Sequence, residues 1–546
     1  MRRFLVVTVL LLAPLSACTT SKGVALAKYE LQQPIWSTCP SAYLLPSNQL
    51  AATFPRKTVT CSRLVVPAQY DTESKFIDFS IAMLKLPATS NDVMGTLFIN
   101  PGGPGESGIE EAQWMDFPAE IRAKYDIIGF DPRGVNHSTP VIGAPIKCSD
   151  QSDFETYWLS EGSPANAADV AKNDAITSDY FNQCSKANPA WWTLKTDNVA
   201  RDLDIMRQVL TGEAKLNFLG SSYGTTIAAD YIRMFPGNSG LITLDSPTTN
   251  ANQSDKDALT EAKALEAKII GYVNGYAKAR GKTPEQVKAL LLKIRKWGDD
   301  NKLAGFAGMK TLNAKEQTRY SDETMFTHGM FALTYMDDTT AQSYFNQAID
   351  DLLGPGRWNG IFEYLGFQLD GYDPASLRGP HYTPSNIVRN NSYEIMTMVN
   401  GTDRDLRDLT SAEHQKKLAK QLEAASPFWT ALNSDASKYT WVPKRSGSEW
   451  SWLAFDDKSI PDPPANMEPR TNETGHQFLV VGSRHESTTP YAFSVQAAKD
   501  LKSPLVTFEG SEHAPLAGFT HQCLNKIFVA YMLHGKVPAS GTTCTP

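Results

Sequence analysis

The sequence predicts an α/β fold, a mostly parallel central sheet flanked by helices, interrupted by a large and mainly helical insertion. Three observations predict it. Between about Lys75 and Asp245, short apolar runs alternate with helical patterns, the rhythm of strands wound into one sheet by crossover helices. From Pro247 to Thr474 long charged helical stretches take over. The strand rhythm then returns in HQFLVVG and SPLVTFEG, and a helical KIFVAYMLHG closes the chain.

At 546 residues the chain exceeds one ordinary domain, so a core with a large insertion, or two domains, is expected. Its 41% hydrophobic and 20% charged content is that of a globular protein and excludes the disordered and coiled-coil classes. The formal charge is −7, more negative still once Arg2 and Arg3 leave with a leader, and there is no basic block. Nucleic acid is therefore excluded as a partner.

Taken in order, the chain opens with Arg2 and Arg3, an apolar run from Phe4 to Leu12 that is too short to span a bilayer, and Leu15-Ser16-Ala17-Cys18, which reads as a bacterial lipobox. Residues 1–17 are expected to be removed, Cys18 to carry lipid, and residues 18–35 to form a tether. Such a protein is exported, periplasmic or at the cell surface, and touches the membrane through its lipid anchor only. The other six cysteines fall into three local couples, which favours the disulfides Cys39–Cys61, Cys148–Cys184 and Cys523–Cys544. No C-x-x-C or H-E-x-x-H spacing occurs, so no metal and no cofactor is expected.

Residues 36–246 form the first part of the core, with strands at KFIDFSIAML, GTLFIN, YDIIGF, LNFLG and LITLD. Before LNFLG, Val199, Leu203, Met206 and Leu210 recur at helical spacing behind Thr196 or Asp197, either of which can cap the helix. Residues 247–474 are the inserted cap, with helical DALTEAKALEAKIIGYVNGYAKARG and SYFNQAIDDLLG followed by a Trp- and Pro-rich stretch from Trp441 to Pro469. Residues 475–546 complete the core. No fixed-period repeat is visible, which excludes solenoids and propellers.

The chemistry-bearing feature is Gly220-Ser221-Ser222-Tyr223-Gly224, a G-x-S-x-G directly after LNFLG and before helical TTIAADYIRMF. Glycine and serine at about 7% each would produce the pattern by chance in roughly one chain of this length in five. The strand-turn-helix setting is what gives it meaning. A sharp turn there lifts the Ser222 hydroxyl above the sheet as a nucleophile and aims the backbone N–H of Tyr223 at a developing oxyanion. Asn100-Pro101-Gly102-Gly103-Pro104-Gly105 follows GTLFIN, and coupled to the elbow it reads as the loop whose Gly102 or Gly103 N–H supplies a second oxyanion donor. In isolation it would be a Pro/Gly turn.

A base must follow in the order serine, acid, histidine. His513 sits in a loop just after SPLVTFEG, whereas His476 begins a strand, His534 ends a helix, His485 lies in the acid loop and His521 reads as a packing residue beside Cys523. The loop after HQFLVVG is Ser483-Arg484-His485-Glu486-Ser487-Thr488-Thr489-Pro490, in which Glu486 is the only carboxylate. Glu486 is thus the candidate that orients His513 and stabilises its imidazolium. Asp500 and Glu512 are the fallback acids.

Together NPGGPGESG, Asp131-Pro132-Arg133-Gly134, GSSYGT and the tail from SEHAPL through Cys523 to VPASGTTC resemble the secreted tripeptidyl aminopeptidases and their prolyl aminopeptidase relatives, members of the α/β-hydrolase superfamily. The resemblance implies the α/β-hydrolase fold, with Ser222 as nucleophile, His513 as base, the carboxylate aligned to Glu486 as orienter, and the DPRG run as support for the active-site loop. Family members usually carry an aspartate in a GxxDPxTP stretch. Here GSRHESTTP is one residue longer, and counting back from Thr489-Pro490 selects Glu486. In the family, acidic residues hold the substrate's N-terminal amine. Glu106 stands beside the oxyanion loop, but as a loop glutamate it reads first as a solvated side chain.

The resemblance implies a serine hydrolase that cleaves short peptides from a free N-terminus through an acyl-enzyme, under the roof of the insertion. A carboxylesterase acting on small esters is the alternative with the same residues. A surface-anchored binding module that has lost turnover is the alternative of another class, and the intact Ser222, His513 and loop glycines speak against it.

Overall fold

A computed structural model of the chain describes residues 26–70, 76–142, 145–148, 167–249, 255–301, 323–353, 391–403, 412–433, 472 and 474–546. The leader, Cys18 and the stretch from Trp441 to Pro469 lie outside the described residues.

Eleven strands form one sheet: β1 Ser37–Thr38, β2 Thr60–Val66, β3 Phe79–Leu86, β4 Gly95–Asn100, β5 Tyr125–Phe130, β6 Thr139–Pro140, β7 Leu216–Ser221, β8 Ser239–Asp245, β9 Leu479–Ser483, β10 Leu505–Phe508 and β11 Thr543–Cys544. Their spatial order is β1-β2-β3-β5-β4-β7-β8-β9-β10-β11, with β6 paired to β3. The pairs from β5 to β11 are all parallel, while β1, β2, β3 and β6 pair antiparallel.

Side chains alternate across a strand, so continuous apolar runs can bury both faces of a sheet. Phe98 of β4, Phe218 of β7 and Val480 of β9 enter one core, where Val199 and Leu203 of the helix Thr196–Met206 and Ile227 and Tyr231 of the helix Gly224–Met234 cover them. Their neighbours Leu97, Ile99, Leu219, Leu479 and Val481 point to the other face. Ile109 and Ala112 of the helix Gly108–Trp114 and Leu524, Phe528 and Tyr531 of the helix Gln522–His534 pack there.

Neither Thr196 nor Asp197 caps its helix. Lys195 holds the N-cap position without a side-chain hydrogen bond, and Asp197 in the first turn instead meets Arg233 at 2.9 Å. Asp197 answers a charge on the neighbouring helix.

Between β8 and β9 the described residues are helical. Ile269, Tyr272 and Val273 of the helix Asp255–Ala279 close a core of their own with Val287, Leu291, Met330, Phe345 and Leu432. The helix Ser392–Asp403 behaves differently: Tyr393, Ile395, Met398 and Val399 join the sheet's core. Asn391, just before it, donates to the carbonyls of Gly134 (2.8 Å) and Ile146 (2.9 Å). Disulfides join Cys39–Cys61, Cys148–Cys184 and Cys523–Cys544. Among the described residues no helix is long and apolar enough to cross a membrane.

Arg133 is the largest fully buried side chain. Its guanidinium pairs with Asp202, also buried, and donates to the carbonyls of Pro67 (3.2 Å), Ala68 (3.0 Å) and Thr193 (3.1 Å). The remaining Asp202 oxygen capacity is taken by the Tyr70 hydroxyl at 2.6 Å. Removing one partner strands a charge, so Arg133→Met is expected to cost about 3–5 kcal/mol in urea unfolding, and adding Asp202→Leu to recover much of that loss.

Candidate active site

β7 ends at Ser221, and the helix Gly224–Met234 begins three residues later. The turn between them forces Ser222 to φ 53°, a left-handed conformation that non-glycine residues adopt only when the surroundings hold them. What holds it is its own N–H, which donates to the carbonyl of Asp245 at the end of β8 at 2.9 Å. At Gly224 a side chain would lie 2.5 Å from the Asn100 carbonyl oxygen, so the motif's second glycine is required by the approach of β4.

The Gly-rich loop rests on this elbow. A Cβ on Gly102, where φ is +116°, would lie 2.7 Å from the Ser221 carbonyl oxygen and 2.9 Å from the Tyr223 nitrogen. The Gly102 N–H, however, donates to Asn100 Oδ1 at 3.1 Å, so of the two glycines Gly103 becomes the better candidate to face an oxyanion. Beyond the loop, Ser107 accepts the Glu110 N–H at 3.1 Å and thereby caps the helix Gly108–Trp114, while its hydroxyl donates to Asp131. Asp131 also accepts the N–H groups of Ile109 (3.3 Å) and His137 (3.1 Å). Burial pushes its carboxyl up to about 7 against these bonds. The DPRG run therefore anchors the loop at Asp131 and the sheet's covering layer at Arg133.

The structure brings Glu486 and His513 together. Glu486 is buried and accepts from His513 Nδ1 at 2.6 Å, from the Thr489 N–H at 3.0 Å, from the Thr489 hydroxyl, and from the Ser246 hydroxyl at 2.6 Å. Four donors match the lone pairs of a carboxylate and make its burial tolerable. A proton held on Nδ1 leaves the Nε2 lone pair to take one from a hydroxyl. The loop that carries His513 is fixed from several sides. The Ala514 N–H donates to Ser246 Oγ (3.0 Å), the Leu516 N–H to Asp245 Oδ2 (3.0 Å), Ser483 Oγ to the Glu512 carbonyl (2.7 Å), and Lys268 Nζ from the insertion to the Ser511 carbonyl (3.1 Å).

The rivals are occupied elsewhere. His521 lies 2.5 Å from Glu512 and packs on the ring of Phe508. Asp500 accepts from Gln496 on its own helix at 2.7 Å.

An aromatic ring stands against His513. Tyr335, from the insertion, meets the His513 ring edge-to-face with centroids 5.4 Å apart. Burial and the carboxylates of Glu106, Glu261 and Glu486 raise its phenol. Glu106 is exposed, as expected for a loop glutamate; crowding by the protein around it and then the charge of Glu110 raise its carboxyl. Glu111 behind it is buried and pushed up to about 8 by desolvation and then by Glu106. The sequence reading missed Ser246, Thr489 and Tyr335. Thr489 lies within the acid loop it quoted, but the folded strand ends alone reveal Ser246, and the insertion gives no motif for Tyr335. Among the described residues no cluster of three or more His, Cys, Asp or Glu could hold a metal.

Two outcomes follow from the geometry. Gly102→Ala would push the loop off the elbow, and at least ~100-fold loss of kcat/KM is expected with the circular dichroism spectrum unchanged, the scale of a lost oxyanion donor. Glu111 has a folded pKa raised from 4.5 to about 8, so its contribution to stability is fully present below about 4.5 and is lost as pH rises to about 8. Glu111→Gln keeps the neutral form, and its thermal midpoint should fall less between pH 5 and 8 than that of the unmodified protein.

Comparison with known proteins agrees with this architecture. Residues 95–289 match the family described as alpha/beta hydrolase fold, and residues 446–544 the family described as TAP-like protein. The chain is 26% identical over 533 residues to "Serine protease Hip1" of Mycobacterium tuberculosis, covering 95% of this chain and 92% of that one. It is also 26% identical over 536 residues to "Tripeptidyl aminopeptidase" of Streptomyces lividans (94% and 86%), and over 562 residues to "Carboxylesterase B" of M. tuberculosis (98% and 94%). The chain has the α/β-hydrolase fold and is a serine hydrolase that resembles the tripeptidyl aminopeptidases.

Proposed function

We propose that the protein is an exported, lipid-anchored aminopeptidase that removes short peptides from free N-termini. The observation that carries this reading is Tyr335, set edge-to-face on His513 and reached by the charges of Glu106, Glu261 and Glu486. A substrate ammonium placed there favours the ionised form of these carboxylates, while a neutral acyl chain does not.

In this reading Ser222 attacks the scissile carbonyl as His513 Nε2 takes its proton, and the Tyr223 and Gly103 N–H groups hold the oxyanion. His513 then protonates the leaving amine, water releases the acyl-enzyme, and Glu486 stabilises the imidazolium throughout. The insertion, residues 247–474, roofs the site and restricts it to chain ends. The lipidated Cys18 holds the enzyme at a bacterial membrane. The relative named carboxylesterase keeps esters as the competing substrate class.

The test is a panel of free-amine aminoacyl and tripeptidyl chromogens, their N-acetylated forms, and short acyl esters, with protein starting at Thr19. Turnover of the free-amine peptides, lost in Ser222→Ala, is expected. Glu106→Gln should raise KM for those peptides by ~10-fold or more and leave ester hydrolysis unchanged. KM for free-amine substrates should rise above pH ~8, where a peptide amine loses its proton, and rise again at low pH as Glu106, whose carboxyl is raised, takes one up. Ester-only turnover would make the protein an esterase.

A further inference from the structure

The residue after β8 ties together the loops that carry the proposed acid and the proposed base. Ser246 is fully buried, with its N–H donating to the Val481 carbonyl at 2.9 Å. Its hydroxyl donates to Glu486 Oε2 at 2.6 Å and accepts the Ala514 N–H at 3.0 Å. The direction of both bonds is forced, because an ionised carboxylate only accepts and a backbone N–H only donates. One hydroxyl therefore spans the proposed acid and the residue that follows the proposed base. Its neighbour Asp245 takes the N–H of Ser222 on its carbonyl and that of Leu516 on Oδ2.

The backbone makes the choice of residue informative. Ser246 adopts φ 52°, where glycine is comfortable and serine is strained. A glycine would serve the turn better, so the backbone does not account for a serine here, whereas the hydroxyl does. Glu486 also has one more rotatable bond than an aspartate. With Oε1 held by His513 and Thr489, the bond to Oε2 fixes the second oxygen as well, so the longer side chain cannot turn about its last torsion without breaking bonds at both oxygens.

We propose that Ser246 is a positioning residue for hydrolysis: its hydroxyl locks the Glu486 carboxylate and the His513 loop in register, so that the acid presents one oxygen to Nδ1. The proposal rests on the reading of Glu486 as the orienting acid. Ser246 touches neither substrate nor the reacting atoms. Its effect passes through Glu486 and belongs to the chemical step rather than to substrate binding.

The test is a double-mutant cycle on the full chain, read with a free-amine tripeptide chromogen and a short acyl ester. Ser246→Gly should lower kcat about 10- to 100-fold for whichever substrate is turned over, with KM within about two-fold; it relieves the strained φ but leaves Glu486 Oε2 and the Ala514 N–H unanswered, so its thermal midpoint should lie below that of the unmodified protein and above that of Ser246→Ala. Ser246→Ala, which keeps the strained Cβ, should lose the same factor in kcat while melting lower. Glu486→Gln should lose more, and adding Ser246→Gly to it should cost little further, because the hydroxyl then has no carboxylate to hold. Unchanged kcat in Ser246→Gly beside an inactive Glu486→Gln would overturn the proposal, as would fully multiplicative losses in the double variant. A loss of kcat that merely tracks a lowered thermal midpoint in both serine variants would also overturn it. A fully active Glu486→Gln would overturn the acid assignment itself, and the proposal with it.

Discussion

A carboxylate buried at the end of the sheet is the interaction on which the arrangement around it depends. An ionised group taken out of water is costly unless its lone pairs are answered, and Glu486 draws its four donors from three places: its own loop, the tip of β8 and the loop after β10. Each of these must sit at the right height for the carboxylate to be satisfied. The parallel register of β8, β9 and β10 supplies that height, since Asp245 lies opposite Val481 and Ser483 opposite Phe508.

The same logic recurs in the covering layers. Arg133 and Asp202 satisfy each other beneath the helix Thr196–Met206, and Asp131 collects a hydroxyl and two N–H groups beneath the helix Gly108–Trp114. These buried polar knots hold the two helices to the sheet in fixed positions, and the Gly-rich loop is strung between one of them and the elbow. Apolar packing alone leaves such layers free to slide, whereas directional bonds do not.

Much of this is written locally in the chain. Strand runs around Phe98, Phe218 and Val480 announce themselves because burial on both faces demands apolar residues at consecutive positions. The turn at Ser222 needs glycines at fixed offsets, and His513 stands in a short loop after a strand. Glu486 is legible because its loop holds no other carboxylate. What stays illegible depends on contacts between distant segments. Ser246 looks like one more polar residue after a strand, and Tyr335 like one more aromatic in a helical stretch. Glu106 reads as solvated and is exposed, but nothing near it in sequence reveals that its charge reaches Tyr335 of the insertion. Asp197 looks like a cap until Arg233 appears on the neighbouring helix. The helix Ser392–Asp403 has the texture of the insertion around it, yet its apolar residues are spent on the main core.

β8 and β9 lie side by side, but the entire insertion separates them along the chain. The elbow is made early in synthesis, whereas Glu486 and His513 emerge only near the end. Ser246 meets Glu486 only when the two strands zip together across that gap. A chain cut short anywhere within the insertion carries its strained serine with neither carboxylate nor imidazole beside it. On the proposed reading of Ser222, Glu486 and His513, completion of the fold is the event that arms the molecule, and until then a nascent chain has no means to act on its neighbours or on itself.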